Sequence, residues 1–527
     1  MSTARDSGPS SSQAERLALS LEDGERWWGG RVTDALAMPL GDQPFEADLA
    51  GIEPAPGQMA PASNQASPLL LSSAGRTVHS AHPFRFRFED GMLEIEGHDI
   101  RVDRSGDSLR TAFESLVGSA IRPSGRIPHR ALFAGPQYNS WIDQPYLPTQ
   151  SGVLDYVRGL LDAGMPPGVV MIDDMWSSDY GNWTFDPARF PDPAAMAAAL
   201  HDWGCHLMLW VVPYISPDSP AFRALEPAGL LLKAADGNPA IRRWWNGFSA
   251  ILDLSNPDAV AWFHDRADAL LELGVDGFKF DGADVGDFRA DDLTGGLLPV
   301  DMCRQWSRLA LRYPLNELRA SWDMGGQALA QRVQDKPPAW GPSGIESLIP
   351  QMIAQSLMGY SYCCPDMVGG GEITAMRDQQ GIDQEFFVRY AQVAALSPMI
   401  QFSVSPARVL DDEHLDAVMS VLALREHHVD RLLDLAEQAA SSGEPMLRPM
   451  GYQQPGLEAI TDQFMLGEDL VVAPVLERGA RSRTVTLPAG HWRDHHGRRH
   501  QGPTTLEVDA PLQVLPVFER VPGGDAS

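Results

Sequence analysis

From residue 131 onward the chain alternates short strand-like runs with longer helical segments, and half of the runs end in a carboxylate. Strands separated by helices pair in parallel, because a parallel connection needs a crossover of a dozen residues or more. Eight runs qualify: QYNSWI (137–142), GVVMIDD (168–174), HLMLWVVP (206–213), GFKFDGAD (277–284), LRASWD (318–323), RVQDK (332–336), YSYCCPD (360–366) and SPMIQFS (397–403). Segments such as SGVLDYVRGLLDAG and DAVAWFHDRADALLELG supply the helices between them. Eight such units over roughly 280 residues predict a (β/α)8 barrel.

The flanks have a different rhythm. In HPFRFRFEDGMLEIEG (82–97), Phe84, Phe86 and Phe88 alternate with arginines. Asp90-Gly91 then turns the chain, and Leu93 and Ile95 resume the alternation, as in a hairpin. The Pro/Ala/Ser stretch at 53–67 reads as a loop. After a helical region, FMLGEDLVVAPVL, RTVTLPAGHWRDHHG and TTLEVDAPLQVLPVFER return to strand patterning. The expected class is therefore α/β, a TIM barrel over 131–440. It is flanked by an N-terminal β-sandwich over 16–130 and a small C-terminal β-sandwich over 441–527, with a disordered, Ser-rich segment at 1–15.

The 527 residues carry a formal net charge of −29, which repels nucleic acid and anionic membranes. No run of eighteen apolar residues occurs to span a bilayer. Cys205, Cys303, Cys363 and Cys364 match no zinc spacing, and a vicinal bridge would be strained. Together with an N-terminus that lacks an apolar leader core, they predict reduced thiols in a cytoplasmic protein. The expected partner is a small molecule.

In a TIM barrel the C-terminal strand ends form the active face. There the sequence places Asp173-Asp174, Asp281, Asp284, Asp335 and Asp366. Alternation along GFKFDGAD turns Lys279 and Asp281 to the same side, and a cation there keeps a carboxylate ionised for nucleophilic attack. Asp335 lies between Arg332 and Lys336, whose charges oppose the proton a general acid must hold; Trp340 or an ionised Asp281 could supply the opposing influence. Two carboxylates astride a glycosidic bond hydrolyse it, one attacking and one protonating the leaving oxygen. Trp141, Trp176, Trp210, Trp244, Trp245, Trp322 and Trp340 offer faces for sugar rings. No metal or organic cofactor is implied, and DHHGRRH (494–500) reads as a solvated turn.

FKFDGAD, QYNSWI, VVMIDDMW followed by FDPARFPD, LMLWVVPYISPDS, WWNGFSAILDLSNP and the C-terminal run from FMLGEDLVVAPVLERG to APLQVLPVFER together resemble glycoside hydrolase family 31. The resemblance spans about residues 82–520 and implies an exo-acting, retaining α-glycosidase. It puts Asp281 at the nucleophile and Asp335 at the acid/base. Asp173 or Asp174 would hold sugar hydroxyls, and Arg332, Lys279, Trp210 and Asp366 would line the same subsite. Asp284, Trp141 and Trp322 complete the expected sugar-binding set.

Three departures from the family pattern point away from glucose. Asp284 replaces a usual Glu, Arg332-Val333-Gln334-Asp335-Lys336 replaces the common acid/base motif, and QFSVSPARV lacks a late histidine. RVQDKPPAWG and IDDMW resemble the branch with the myogenesis-regulating glycosidase and bacterial α-galactosidases. They imply α-galactosidase, with α-glucosidase, α-xylosidase, sulfoquinovosidase or a silent carbohydrate-binding protein as alternatives. A homo-oligomer is compatible with the resemblance.

Overall fold

In the computed structural model, which describes residues 14–51, 53–54, 58–373 and 381–522, the alternation after residue 131 closes into a parallel barrel. Its strands begin with Gln137–Asn139, Val169–Ile172, His206–Val211, Gly277–Phe280, Leu315–Leu318 and Gln331–Arg332. The seventh is split. Cys363–Cys364 pairs with the sixth strand, and Met367–Val368 pairs with the eighth, Gln401–Phe402. The eighth returns to the first and completes the ring. Pro365 and Asp366 interrupt the seventh strand, and Asp366 takes a left-handed φ of 69°, which a short polar side chain tolerates. Helices between strands start on side chains that satisfy their free N–H groups: Thr149, Asp192, Asn256 and Asp383.

The fifth strand departs from expectation. It is Leu315–Leu318, upstream of the 318–323 run. The chain then leaves the barrel, and Ser321–Trp322 pairs in parallel with Gln65–Ala66 of the N-terminal region. Trp322, expected at the sugar site, is buried in this seam at 1% exposure. Trp322→Ala is expected to lower the unfolding free energy by about 3–5 kcal/mol, the usual cost of emptying a large core site. Urea denaturation measures this.

The N-terminal region forms two sheets. One runs in the order Glu15–Ser20, Met92–Gly97, Arg85–Glu89, Phe45–Asp48. The other joins Gln65–Ser72 to Arg76–His79 and Arg101–Arg104, with Trp27–Arg31 also against Gln65–Ser72. Asp90 and Gly91, both at positive φ, make the tight turn that the Asp-Gly pair predicts. Phe84, Phe86, Phe88, Leu93 and Ile95 face the core. Most of the segment expected to be disordered, 1–13, lies outside the described residues, while Glu15 opens a strand. Residues 447–521 contribute one antiparallel sheet of six strands, irregular between Leu487 and Gly490, around a core that includes Val485, Trp492 and Phe518.

A further hairpin follows the third barrel strand: Ile241–Trp244 and Gly247–Ile251, with Tyr214–Ile215 on its outer side. Its tip, Trp245-Asn246, reaches back over the barrel mouth.

Candidate active site

The C-terminal strand ends enclose a cavity of about 550 Å3, within the range that small-molecule sites occupy, about 300–1,000 Å3. Its wall includes Trp141, Asp173, Asp174, Trp210, Lys279, Asp281, Asp284 and Asp335, which brings eight of the eleven expected residues together. Two elements outside the eight strands complete it: the loop bearing Met59, Ala60 and Ala62, and the hairpin's Trp244 and Trp245.

Asp281 follows the fourth strand directly and is nearly buried. Its Oδ1 accepts hydrogen bonds from Arg319 Nε at 2.7 Å and Gly282 N at 2.8 Å, and its Oδ2 from Trp210 Nε1 at 3.0 Å. Burial alone would raise its proton affinity. The charges of Arg319, Lys279 and Arg332 and the Trp210 hydrogen bond outweigh burial and hold the carboxyl well below the usual range. Asp281 is therefore an anion at any physiological pH.

Lys279 shares the barrel interior with Asp281, but its direct partner is Asp173, at 2.7 Å. The cation that touches Asp281 is Arg319, which also grips Asp284 through Nη1 at 3.1 Å and Nη2 at 2.6 Å. Ser63 adds its backbone N and hydroxyl to Asp284 Oδ1, at 2.7 and 3.1 Å. With both oxygens engaged, Asp284 anchors Arg319 and the N-terminal loop. Asn64, next along that loop, donates to Gln334 Oε1, next to Asp335 in sequence.

On the second strand, Asp174 accepts from Tyr180 Oη at 3.0 Å and from Asn246 Nδ2 at 2.5 Å. Burial, reinforced by the neighbouring charge of Asp173, pushes Asp174 up to about 7. Asp287 is likewise pushed to about 7 by burial and by Asp284, and takes the Tyr214 hydroxyl at 2.6 Å. Asp173, locked to Lys279, and Asp174, held by two neutral donors, thus differ in kind.

Asp335 is the open member of the constellation, its side chain 39% exposed. Arg332 Nη1 donates to its Oδ1 at 2.8 Å. Arg332 and Asp366, expected to line the subsite, stand behind the wall at 1% and 0% exposure. Burial of Arg332 follows from its place on the sixth strand, facing Glu317 in the barrel interior at 3.4 Å. Asp366 is drawn inward by the interruption of the seventh strand. Trp340 is not part of the wall either; its Nε1 donates to Asp383 Oδ2 at 3.1 Å. Trp176 is core, donating to the Trp210 carbonyl.

Sequence reasoning missed Arg319, Ser63, Tyr180, Asn246, Asp287 and Glu372. Arg319 alone carried a usable signal, since it lies two residues beyond the inward-facing Glu317. Asp494, in the histidine-containing turn, accepts from the backbone N of His496 and Arg498 and from His500 Nε2.

A sequence model of the glycosyl hydrolases family 31 TIM-barrel domain matches residues 133–296, and one of the family's C-terminal domain matches 443–522. The myogenesis-regulating glycosidase of Mus musculus is 32% identical over 425 residues, covering 78% of this chain and 59% of that protein. Alpha-xylosidase XylQ of Lactiplantibacillus pentosus is 26% identical, covering 84% and 60%. The chain thus spans about three fifths of the length of these curated relatives. Among solved structures, a Flavobacterium johnsoniae dextranase complexed with glucose superposes with a TM-score of 0.82 at 17% identity, covering 98% of this chain and 67% of that one. A sulfoquinovosidase from E. rectale with an aza-sugar inhibitor gives 0.81 at 17% identity, covering 96% and 82%. At that identity the superpositions speak for the fold, and the matched sequence domains speak for the lineage: this chain belongs to glycoside hydrolase family 31.

Proposed function

We propose that the protein is a retaining, exo-acting α-glycoside hydrolase. One observation carries this reading. Asp281, fixed as an anion by Arg319 and Trp210, and Asp335, open to solvent, face the same sugar-sized cavity. Asp281 attacks the anomeric carbon while Asp335 gives its proton to the departing oxygen. A glycosyl-aspartate forms, Asp335 takes a proton from water, and the sugar leaves with its configuration retained.

The preferred sugar is α-galactose. Support comes from the RVQDKPPAWG and IDDMW segments and from the departures at Asp284 and after the eighth strand. Electrostatics favours a neutral sugar over a sulfonated one. Among the described residues the wall holds two cations, Lys279 and Arg319, both already paired with carboxylates, and Asp173, Asp174, Asp281, Asp284, Asp287, Asp335 and Glu372 surround them. A sulfonate would meet repulsion there.

A panel of p-nitrophenyl α- and β-glycosides tests the assignment, with the anomeric configuration of the first product followed by NMR. Release from the α-galactoside with retention is expected. Faster release from the α-glucoside or α-xyloside would keep the mechanism and overturn the sugar. Inversion, or cleavage of β-glycosides alone, would overturn the mechanism.

A further inference from the structure

The cavity changes character from floor to opening. Its floor is charged and buried, built from Asp173, Asp174, Lys279, Asp281, Asp284 and Arg319. The lining side chains that also reach solvent are mostly apolar: Met59, Ala60 and Ala62 from the N-terminal loop, Trp245 from the hairpin tip, and Tyr146 and Ile373. Met59 is 52% exposed and Trp245 40%. Polar partners at the opening are few among the described residues. Beside Asp335 they are Glu372, the Tyr146 hydroxyl and Gln334, whose Oε1 already accepts from Asn64.

Trp245 is exposed yet held in place. Trp244 packs against it with ring centroids 4.9 Å apart, Tyr214 meets it edge-on at 6.2 Å, and the Arg319 guanidinium carbon stands 5.6 Å from its centroid. Tyr214 is itself fixed by the bond from its hydroxyl to Asp287. The open part of the Trp245 ring is therefore a rigid apolar surface, and a ligand that covers it gains burial with little ordering of the protein. A second aromatic pair follows the first strand. Trp141 donates from Nε1 to the Gly371 carbonyl at 2.8 Å and meets Tyr146 edge-on at 5.1 Å.

The reaction determines what meets this surface. Buried Asp281 draws the anomeric carbon to the floor, and Asp335, open to solvent, serves the leaving oxygen. The group beyond that oxygen points outward, along the apolar rim. A second sugar there would surrender water from its hydroxyls to the carbon atoms of Met59, Ala60, Ala62 and Ile373, which return no hydrogen bond. An alkyl or aryl group gains free energy from the same atoms.

We infer that the substrate is an α-glycoside of an apolar alcohol, and that Met59 and Trp245 select it by packing against its hydrocarbon. The inference rests on the α-glycosidase reading above, and the experiment separates the two. kcat/KM is measured for methyl, butyl and hexyl α-glycosides of the sugar that the p-nitrophenyl panel selects, and for that sugar joined to the primary hydroxyl of glucose. All four leaving groups are unactivated alcohols, and butanol and hexanol depart with nearly equal ease, so differences between them report contact. kcat/KM is expected to rise by about tenfold or more from methyl to hexyl, the scale of burying a few methylenes, and the hexyl glycoside should exceed the disaccharide. Met59→Ser and Trp245→Ala should each lower the hexyl-to-methyl ratio by about threefold or more. Because a ratio is read, a general loss of activity cancels. Should Trp245→Ala not fold, exposed Met59 supplies the test alone. A wild-type ratio near one, a disaccharide cleaved faster than the hexyl glycoside, or an unchanged ratio in Met59→Ser overturns the inference and leaves the glycosidase reading standing. No cleavage of any α-glycoside sinks the reading itself.

Discussion

Asp281→Ala is expected to lower kcat by about 10^4-fold or more on every substrate the wild type cleaves, the scale on which losing a covalent nucleophile registers. The fold should survive, because alanine removes a buried anion whose neighbours Arg319 and Trp210 keep other contacts: Arg319 stays bonded to Asp284. Small anions such as azide fit the space vacated and should restore cleavage of a dinitrophenyl glycoside with inversion, since a single displacement replaces two. With an activated 2-fluoro sugar, the wild type should gain the mass of one glycosyl group on the peptide containing Asp281, and the variant should gain none. Retained activity in a folded Asp281→Ala would end the case for this nucleophile.

The second large effect belongs to Arg319, which holds Asp281 and Asp284 from the cavity wall. Arg319→Leu leaves Asp281 and Asp284 facing each other, buried and without their shared cation. Breaking a buried charge pair from one side costs about 3–5 kcal/mol, measurable as a drop in the urea midpoint at pH 7. The sign of its pH dependence follows from Asp281. In the wild type its proton affinity is depressed on folding, so it adds stability above the unfolded carboxylate range, and this is lost only as pH falls through the lower folded value. In the variant the depressing charge is gone, so the deficit should shrink as pH is lowered and the carboxyls protonate. The acidic limb of kcat/KM should also move to higher pH. Arg319→Lys reaches one of the two carboxylates and should recover part of both. A variant as stable as the wild type at pH 7 would show that water, not Arg319, carries these charges.

The barrel was legible because its signal is periodic and repeated. The seventh strand illustrates the limit: YSYCCPD predicted one strand, and the chain forms two short ones around Pro365-Asp366, because a proline cannot donate to the ladder. LRASWD carried the apolar and aromatic character of a strand and does form one, but with a partner in the N-terminal sheet. Strand propensity does not name a partner. In the site, most residues on strand ends were found because their position along the chain fixes their position in space; Arg319 was missed because the fifth strand ends at Leu318, at the start of the expected run. Asn246, Tyr180 and Ser63 were not, since each reaches the cavity from an excursion whose path depends on tertiary packing. Lys279 shows the intermediate case: alternation gave its side of the strand correctly, but the choice between Asp173 and Asp281 as partner depends on the neighbouring strand.

The pairing of Ser321–Trp322 with Gln65–Ala66, together with the grip of Ser63 on Asp284, bears on how such enzymes can be recombined. A chimera that takes the barrel from this chain and the N-terminal sheets from a relative would exchange part of the sugar pocket along with the scaffold, and would lose an anchor of the arginine that holds the nucleophile. Grafting substrate preference between relatives therefore requires moving the segment around residues 58–72 with the barrel. Libraries cut at the apparent boundary near residue 130 would separate residues that function as one unit.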